Sequence, residues 1–257
     1  MPDRPSRPIR PLRSHRPRQD PDEPVRPSGP VSVARPDIPD DVDVHLPRGL
    51  RRTIGKQVRD RDTLADVERA IAYGAELLDL EEGAQAVPYY AWAKVQASRV
   101  ADIREGLGVA HYQAGDFQEA LKELRTYRRM AAAHDQDHLI ADCLRGLGRD
   151  TAEVADTVEG MLAADGVPPD RQLEGLLVWA GAVRDDGDLP GARAVLRRAD
   201  DDLRRRAGEE ARGRFTWLAA DLAEEAGDLD AAREGFRELA RLPEDPFEAG
   251  PRLSDLG

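Results

Sequence analysis

The stretch Leu107-Gly108-x-x-His111-Tyr112-x-x-Gly115-Asp116-Phe117-x-Glu119-Ala120-Leu121 decides the fold. Gly115 can enter the left-handed region that ends a helix, and Asp116 is a residue type that opens the next one as its N-cap. Gly108 and Ala120 are small where two helices joined by so short a turn must approach closely. The unit spanning residues 101–134 is therefore a helical hairpin.

The pattern extends in both directions. Upstream, Gly74 precedes Gly108 by 34 residues, and Ala86 precedes Ala120 by the same interval. Downstream, the turn recurs as Leu147-Gly148-Arg149-Asp150, Asp186-Gly187-Asp188-Leu189 and Ala226-Gly227-Asp228-Leu229. Ala192 and Ala232 each lie five residues after their turn glycine, as Ala120 follows Gly115; Glu153 stands there in the most degenerate unit. Successive turn glycines are 33, 39 and 40 residues apart. This arrangement resembles the tetratricopeptide repeat, with Leu-Gly in the first helix, a Gly-Asp turn, and Ala in the second helix. The resemblance covers about residues 63–243 as five hairpins. It implies an all-α solenoid in which each hairpin buries its apolar face against its neighbours.

The rest of the chain fits an all-α reading. A short helix is expected from Pro47, with Leu46, Leu50 and Ile54 on one face. Another should run from Thr63 to Leu80, capped by Asp62 and carrying the stripe Leu64, Val67, Ile71, Gly74 and Leu78. A third should cover Ala84–Ser98, with Pro88 in its early turns. The pair Pro168-Pro169 marks an expected joint between the third and fourth hairpins. Pro243-Glu244-Asp245-Pro246 should stop the last helix and leave residues 244–257 as a loose end or cap. No alternating strand pattern is present.

Residues 1–46 differ sharply in composition. Pro and Arg dominate, and so sparse an apolar content predicts a disordered leader. Arg4, Arg7, Arg10, Arg13 and Arg16 recur with period three among similarly spaced prolines. In a polyproline II helix they would line one edge about 9 Å apart. Such a comb could follow RNA or another polyanion, and Pro5-x-x-Pro8-x-Arg10 matches a ligand for aromatic-lined grooves. A plain solubilising tail explains the same composition. Residues 1–18 carry a net +5, so within a chain of net −12 the remainder carries −17. That acidic body argues against general nucleic-acid binding outside the leader.

Little in the sequence points to catalysis. No phosphate-binding loop, dinucleotide-binding glycine motif, nucleophile elbow or paired cysteine cluster occurs. His134 and His138 are four apart, but the repeat register puts one in a loop and the other in a helix, so a shared metal is not expected. Cys143, the single cysteine, falls on an apolar face with Leu139 and Leu147 and reads as a buried structural thiol. One cysteine forms no intrachain disulfide, and no apolar run is long enough to cross a membrane. A cytoplasmic protein without cofactors is the expectation.

The resemblance also implies a working surface. Tetratricopeptide grooves bind peptides along their first helices. The corresponding positions here are Tyr112, His138, Asp142, Arg145, Arg184, Trp217, Asp221 and Glu224. Trp92 and Trp179 are expected in the core, Trp92 beside Tyr89, Tyr90 and Val95. Members that clamp a terminal carboxylate do so with Lys and Asn; Glu105, Val109 and Tyr112 stand at those positions, so that subtype is not expected. The leading expectation is a non-enzymatic scaffold receiving a peptide or helix. The alternative is an RNA- or ribosome-associated protein tethered by its leader. The combination of Arg/Pro leader and acidic Ala/Arg/Leu-rich body is similar to tetratricopeptide proteins of actinobacteria.

Overall fold

The computed structural model describes residues 33–256. Among them are thirteen α-helices and no strand. The chain divides into two compact units at Leu147/Gly148. The first holds α1 (Arg48–Gly55), α2 (Arg61–Asp79), α3 (Gly83–Gln96), α4 (Ala101–Ala114), α5 (Phe117–Ala131) and α6 (Asp137–Gly146). The second holds α7 (Thr151–Ala163), α8 (Pro169–Asp185), α9 (Leu189–Leu196), α10 (Asp201–Arg206), α11 (Glu209–Glu225), α12 (Leu229–Leu239) and α13 (Ala249–Asp255).

In the first unit α2 packs on α3, α3 on α4, α4 on α5 and α5 on α6. Small residues permit these approaches. A Cβ on Gly108 would lie 2.7 Å from the Leu124 side chain, and one on Gly74 would lie 2.7 Å from the Tyr90 ring. Tyr90 is wedged between Gly74 and Gly106, where a Cβ would come within 2.2 Å of the same ring. The turn after α4 has the expected geometry, with Gly115 at φ 84°. Asp116 occupies the N-cap position of α5, but its carboxylate makes no capping bond and instead lies 3.3 Å from His111 Nδ1. Asp60, rather than Asp62, caps α2 by accepting from the Thr63 amide at 2.8 Å. Asp62 falls inside the first turn, where its charge favours the helix N-terminus.

The ordered chain begins before Pro47. Residues 33–46 lie along α2 and α3, with Ile38 buried and Val33 and Leu46 packed on the same core. Arg35 Nε bonds Asp66 Oδ2 at 2.8 Å, and Tyr89 donates its hydroxyl to the Asp37 carbonyl at 3.0 Å. The expectation of disorder through residue 46 is thus corrected for this part. A few single apolar anchors and ion pairs hold it without any periodic pattern. The leader arginines Arg4, Arg7, Arg10, Arg13 and Arg16 lie outside the described residues.

In the second unit α7 packs on α8, α8 on α9 and α11, and α11 on α12. Gly187 and Gly227 turn at φ 85° and 77°, and Asp188 and Asp228 cap the following helices through the Gly191 and Ala231 amides. Ala192 and Ala232, like Ala120 in the first unit, are fully buried. The division at Leu147/Gly148 falls inside the expected third hairpin, not at Pro168-Pro169. Pro168 is the N-cap of α8, and Met161 of α7 fills the notch left by Gly175 of α8. Those contacts hold the proline connection within one unit. Residues 243–256 form a cap: Phe247 is buried in a notch at Gly213, and α13 packs on α12.

Candidate functional site

The groove candidates of the first unit come together on α4 and α6. Tyr112, near the end of α4, donates its hydroxyl to Asp142 Oδ2 of α6 at 2.6 Å. Arg145 lies one helical turn beyond Asp142, with Nη1 3.8 Å from Oδ1. His138 and Asp142 are buried, whereas Tyr112 and Arg145 are half-buried. Glu105, another position on this face of α4, accepts from Gln136 Nε2 at 2.7 Å.

In the second unit Arg184 of α8 reaches Asp221 Oδ2 of α11 at 2.8 Å and Glu225 Oε2 at 2.6 Å. Asp221 also receives Arg252 of α13 at 2.8 Å, and the same nitrogen lies 2.6 Å from Glu224. The Arg252 guanidinium stands over the rings of Trp217 and Phe236, 5.6 and 5.0 Å from their centroids. Burial opposes its charge, but hydrogen bonds with Glu224 and Asp221 outweigh that and hold its pKa above the ordinary value.

This placement changes the expected surface. His138, Asp142 and Asp221 are buried, so they lie behind any contact surface rather than on it. A helix face facing a neighbouring helix can carry buried polar groups when partners satisfy them, and Tyr112, Arg184 and Arg252 do so here. Trp217 packs edge-on against Phe236 and under Arg252, as part of the C-terminal core. The half-buried members are Tyr112, Arg145, Arg184, Trp217 and Glu224. Trp92 is buried as expected, Trp179 is half-buried beneath the Arg198 guanidinium, and Val95 is exposed.

Two charged residues escaped the sequence reading. Arg252 lies in a stretch read as a possible loose end, although Leu253 and Leu256 three apart hint at a helix. Glu123 of α5 is about 1% exposed and takes Lys94 Nζ at 3.0 Å and Arg104 Nη1 at 2.7 Å. Burial alone would raise its pKa; the two cations reverse that and hold it below the usual carboxylate value. Two residues after Leu121 and one before Leu124, it stands off their helical stripe and reads in the sequence like any solvated glutamate.

His134 Nδ1 lies 2.7 Å from Asp137 Oδ2, while His138 is buried in the first turn of α6. Among the described residues no group of three His, Cys, Asp or Glu side chains is arranged to hold an ion. Cys143 is buried. No described helix is long and apolar enough to cross a membrane. Comparisons with protein-family models, curated proteins and solved structures return no match.

Proposed function

We propose that this chain is a non-enzymatic interaction scaffold of tetratricopeptide-like hairpins that receives a peptide or helix of a protein partner. One observation carries the reading: the same two repeat positions, three residues before one turn glycine and six before the next, meet twice on successive first helices. Tyr112 bonds Asp142 from α4 to α6, and Arg184 bonds Asp221 from α8 to α11. Such pairing supports a register in which first helices lie side by side within each unit. Each unit offers its own contact residues, Tyr112 and Arg145 in the first and Arg184 and Glu224 in the second; Asp142 holds the former pair, and Asp221 with Arg252 holds the latter. A cytoplasmic setting goes with this reading, supported by a single, buried cysteine.

The test is capture from the native host with the full chain and an Arg145→Ala/Arg184→Ala variant. Asp221 keeps Arg252 in that variant, so the fold should persist, as circular dichroism will verify. Partner recovery is expected to fall by roughly tenfold or more, the scale of losing charge-assisted contacts. Equal recovery would remove both units' candidate surfaces from consideration. A second reading, contact with RNA through the period-three leader arginines, predicts instead that Ser at Arg4, Arg7, Arg10, Arg13 and Arg16 abolishes capture and that binding weakens steeply with salt.

A further inference from the structure

The second unit contains an open cleft of about 970 Å³ lined by α9, α10, α11 and α12. Its lining includes Arg193, Arg197, Arg204, Arg205 and Arg212 together with Asp201 and Glu238, while Asp202 and Asp228 pair with two of the arginines. Five arginines thus line one cleft in a chain whose net charge is −12. Its apolar lining comes from Phe215, Ala219, Ala220 and Ala223 of α11, with Thr216 among them. The volume lies in the upper part of the range that encloses small molecules.

The arginines are available for an incoming anion. Among the described residues Arg197 makes no side-chain hydrogen bond or ion pair, and the Arg212 guanidinium donates only to the Ala207 carbonyl, at 2.6 Å. Arg204 and Arg205 pair with Asp201 and Asp202 one turn away on their own short helix, Arg204 also stands 5.7 Å from the Phe215 ring centroid, and Arg193 pairs with Asp228. Exposed pairs of this kind contribute little, so a multivalent anion can displace them at small cost. Guanidinium groups engage phosphoryl oxygens two at a time, and a tetrahedral oxyanion can bridge several of them.

We propose that this cleft binds a compact small molecule bearing two or more phosphoryl groups, with its less polar portion on the alanine lining. Charge and size together favour such a ligand over a polynucleotide. The chain outside residues 1–18 carries −17, which disfavours a long phosphate backbone continuing beyond the cleft, whereas a ligand contained within it meets the local cations.

Isothermal titration calorimetry of the full chain tests this with tripolyphosphate, magnesium-free ATP, citrate and a hexaglutamate peptide. The expected result is saturable tripolyphosphate binding that weakens at least roughly tenfold in Arg197→Ala/Arg212→Ala. Binding should persist when the five leader arginines are replaced by Ser. ATP tighter than tripolyphosphate would identify a nucleotide-type ligand, and equal affinity would identify the phosphate chain as the recognised part; both support the site. No saturable binding, binding lost only with the leader arginines, or citrate or hexaglutamate preferred over tripolyphosphate would overturn it. Both replaced arginines are exposed, and an unchanged thermal midpoint in the double variant separates lost binding from lost folding. Arg204→Ala provides a second variant with the same expected direction.

Discussion

The two units solve the same packing problem differently. In the first, 34 residues separate Gly74 from Gly108, and ring or leucine side chains fill the glycine notches. In the second, the turn glycines Gly187 and Gly227 are 40 residues apart. Much of the added length folds as α10, between a short α9 and α11, where it lines the arginine-rich cleft. Polar burial follows the same division. The first unit buries Glu68, Glu123, Gln136, Asp137, His138 and Asp142; among the described residues of the second only Asp221 is comparably covered. A tight spacing brings charges inside, where each must find a partner, and a stretched spacing leaves them on the rim of an open cleft.

The largest expected effect breaks the tight side of this comparison. Tyr90→Ala empties the space between Gly74 and Gly106 and should destabilise the first unit by about 4 kcal/mol. Trp92 is the only tryptophan of that unit, so a Trp179→Phe/Trp217→Phe background lets its fluorescence follow that unfolding alone. A loss below about 1 kcal/mol would mean that the ring is not a wedge.

Glu123→Gln should cost about 2–3 kcal/mol, because Lys94 and Arg104 lose the charge that holds them. The pH dependence has a definite sign. The folded-state pKa of Glu123 is depressed, so its contribution is fully present above the unfolded-state value and is lost as pH falls through the lower folded-state value. Asp66, depressed by its hydrogen bond to Arg35 against its own desolvation and helped by Arg69, adds in the same direction. Acid titration followed by Trp92 fluorescence should therefore show a shallower loss of stability in Glu123→Gln than in the parent. Parallel curves would show that Glu123 does not contribute to the acid limb.

Smaller effects belong to the second unit. Gly227→Ala forces an L side chain into φ 77° and should lower stability by about 1 kcal/mol. Arg204→Ala should change it by no more than about 1 kcal/mol, since its pair with Asp201 is exposed and its guanidinium stands 5.7 Å over the Phe215 ring. Denaturant titrations in a Trp92→Phe background, with Trp179 and Trp217 as reporters, measure both. An Arg204→Ala cost near that of Glu123→Gln would erase the contrast between the units.

Local chemistry made much of the fold legible. Gly115, Gly187 and Gly227 announced their turns because a left-handed helix end strongly favours glycine, and Ala120, Ala192 and Ala232 marked close approaches. What was lost depended on competition or distance. Asp60 and Asp62 are both good caps, and only the folded backbone decides which amide remains to be capped. Ile38 anchors residues 33–46 singly, so periodicity cannot reveal it. Pro168-Pro169 looks like a break in one dimension but serves as the entry to α8 in three. The candidate site was less legible still. Trp217, Asp221 and Glu224 lie three to four residues apart on α11, but Arg252 from α13 covers them, and a contact over some thirty residues leaves no local signature.

The contrast between a closed first unit and an opened second unit is tested most directly by hydrogen–deuterium exchange of the full chain, with and without tripolyphosphate. Amides of α4 and α5 should exchange slowly and identically in both conditions. Those of α10 should exchange at least about a hundredfold faster without ligand, as an exposed short helix does, and slow when it is added, together with neighbouring segments of α9 and α11. Equal protection of α10 and α4 in the free chain, or slowing confined to residues 1–32, would contradict the account.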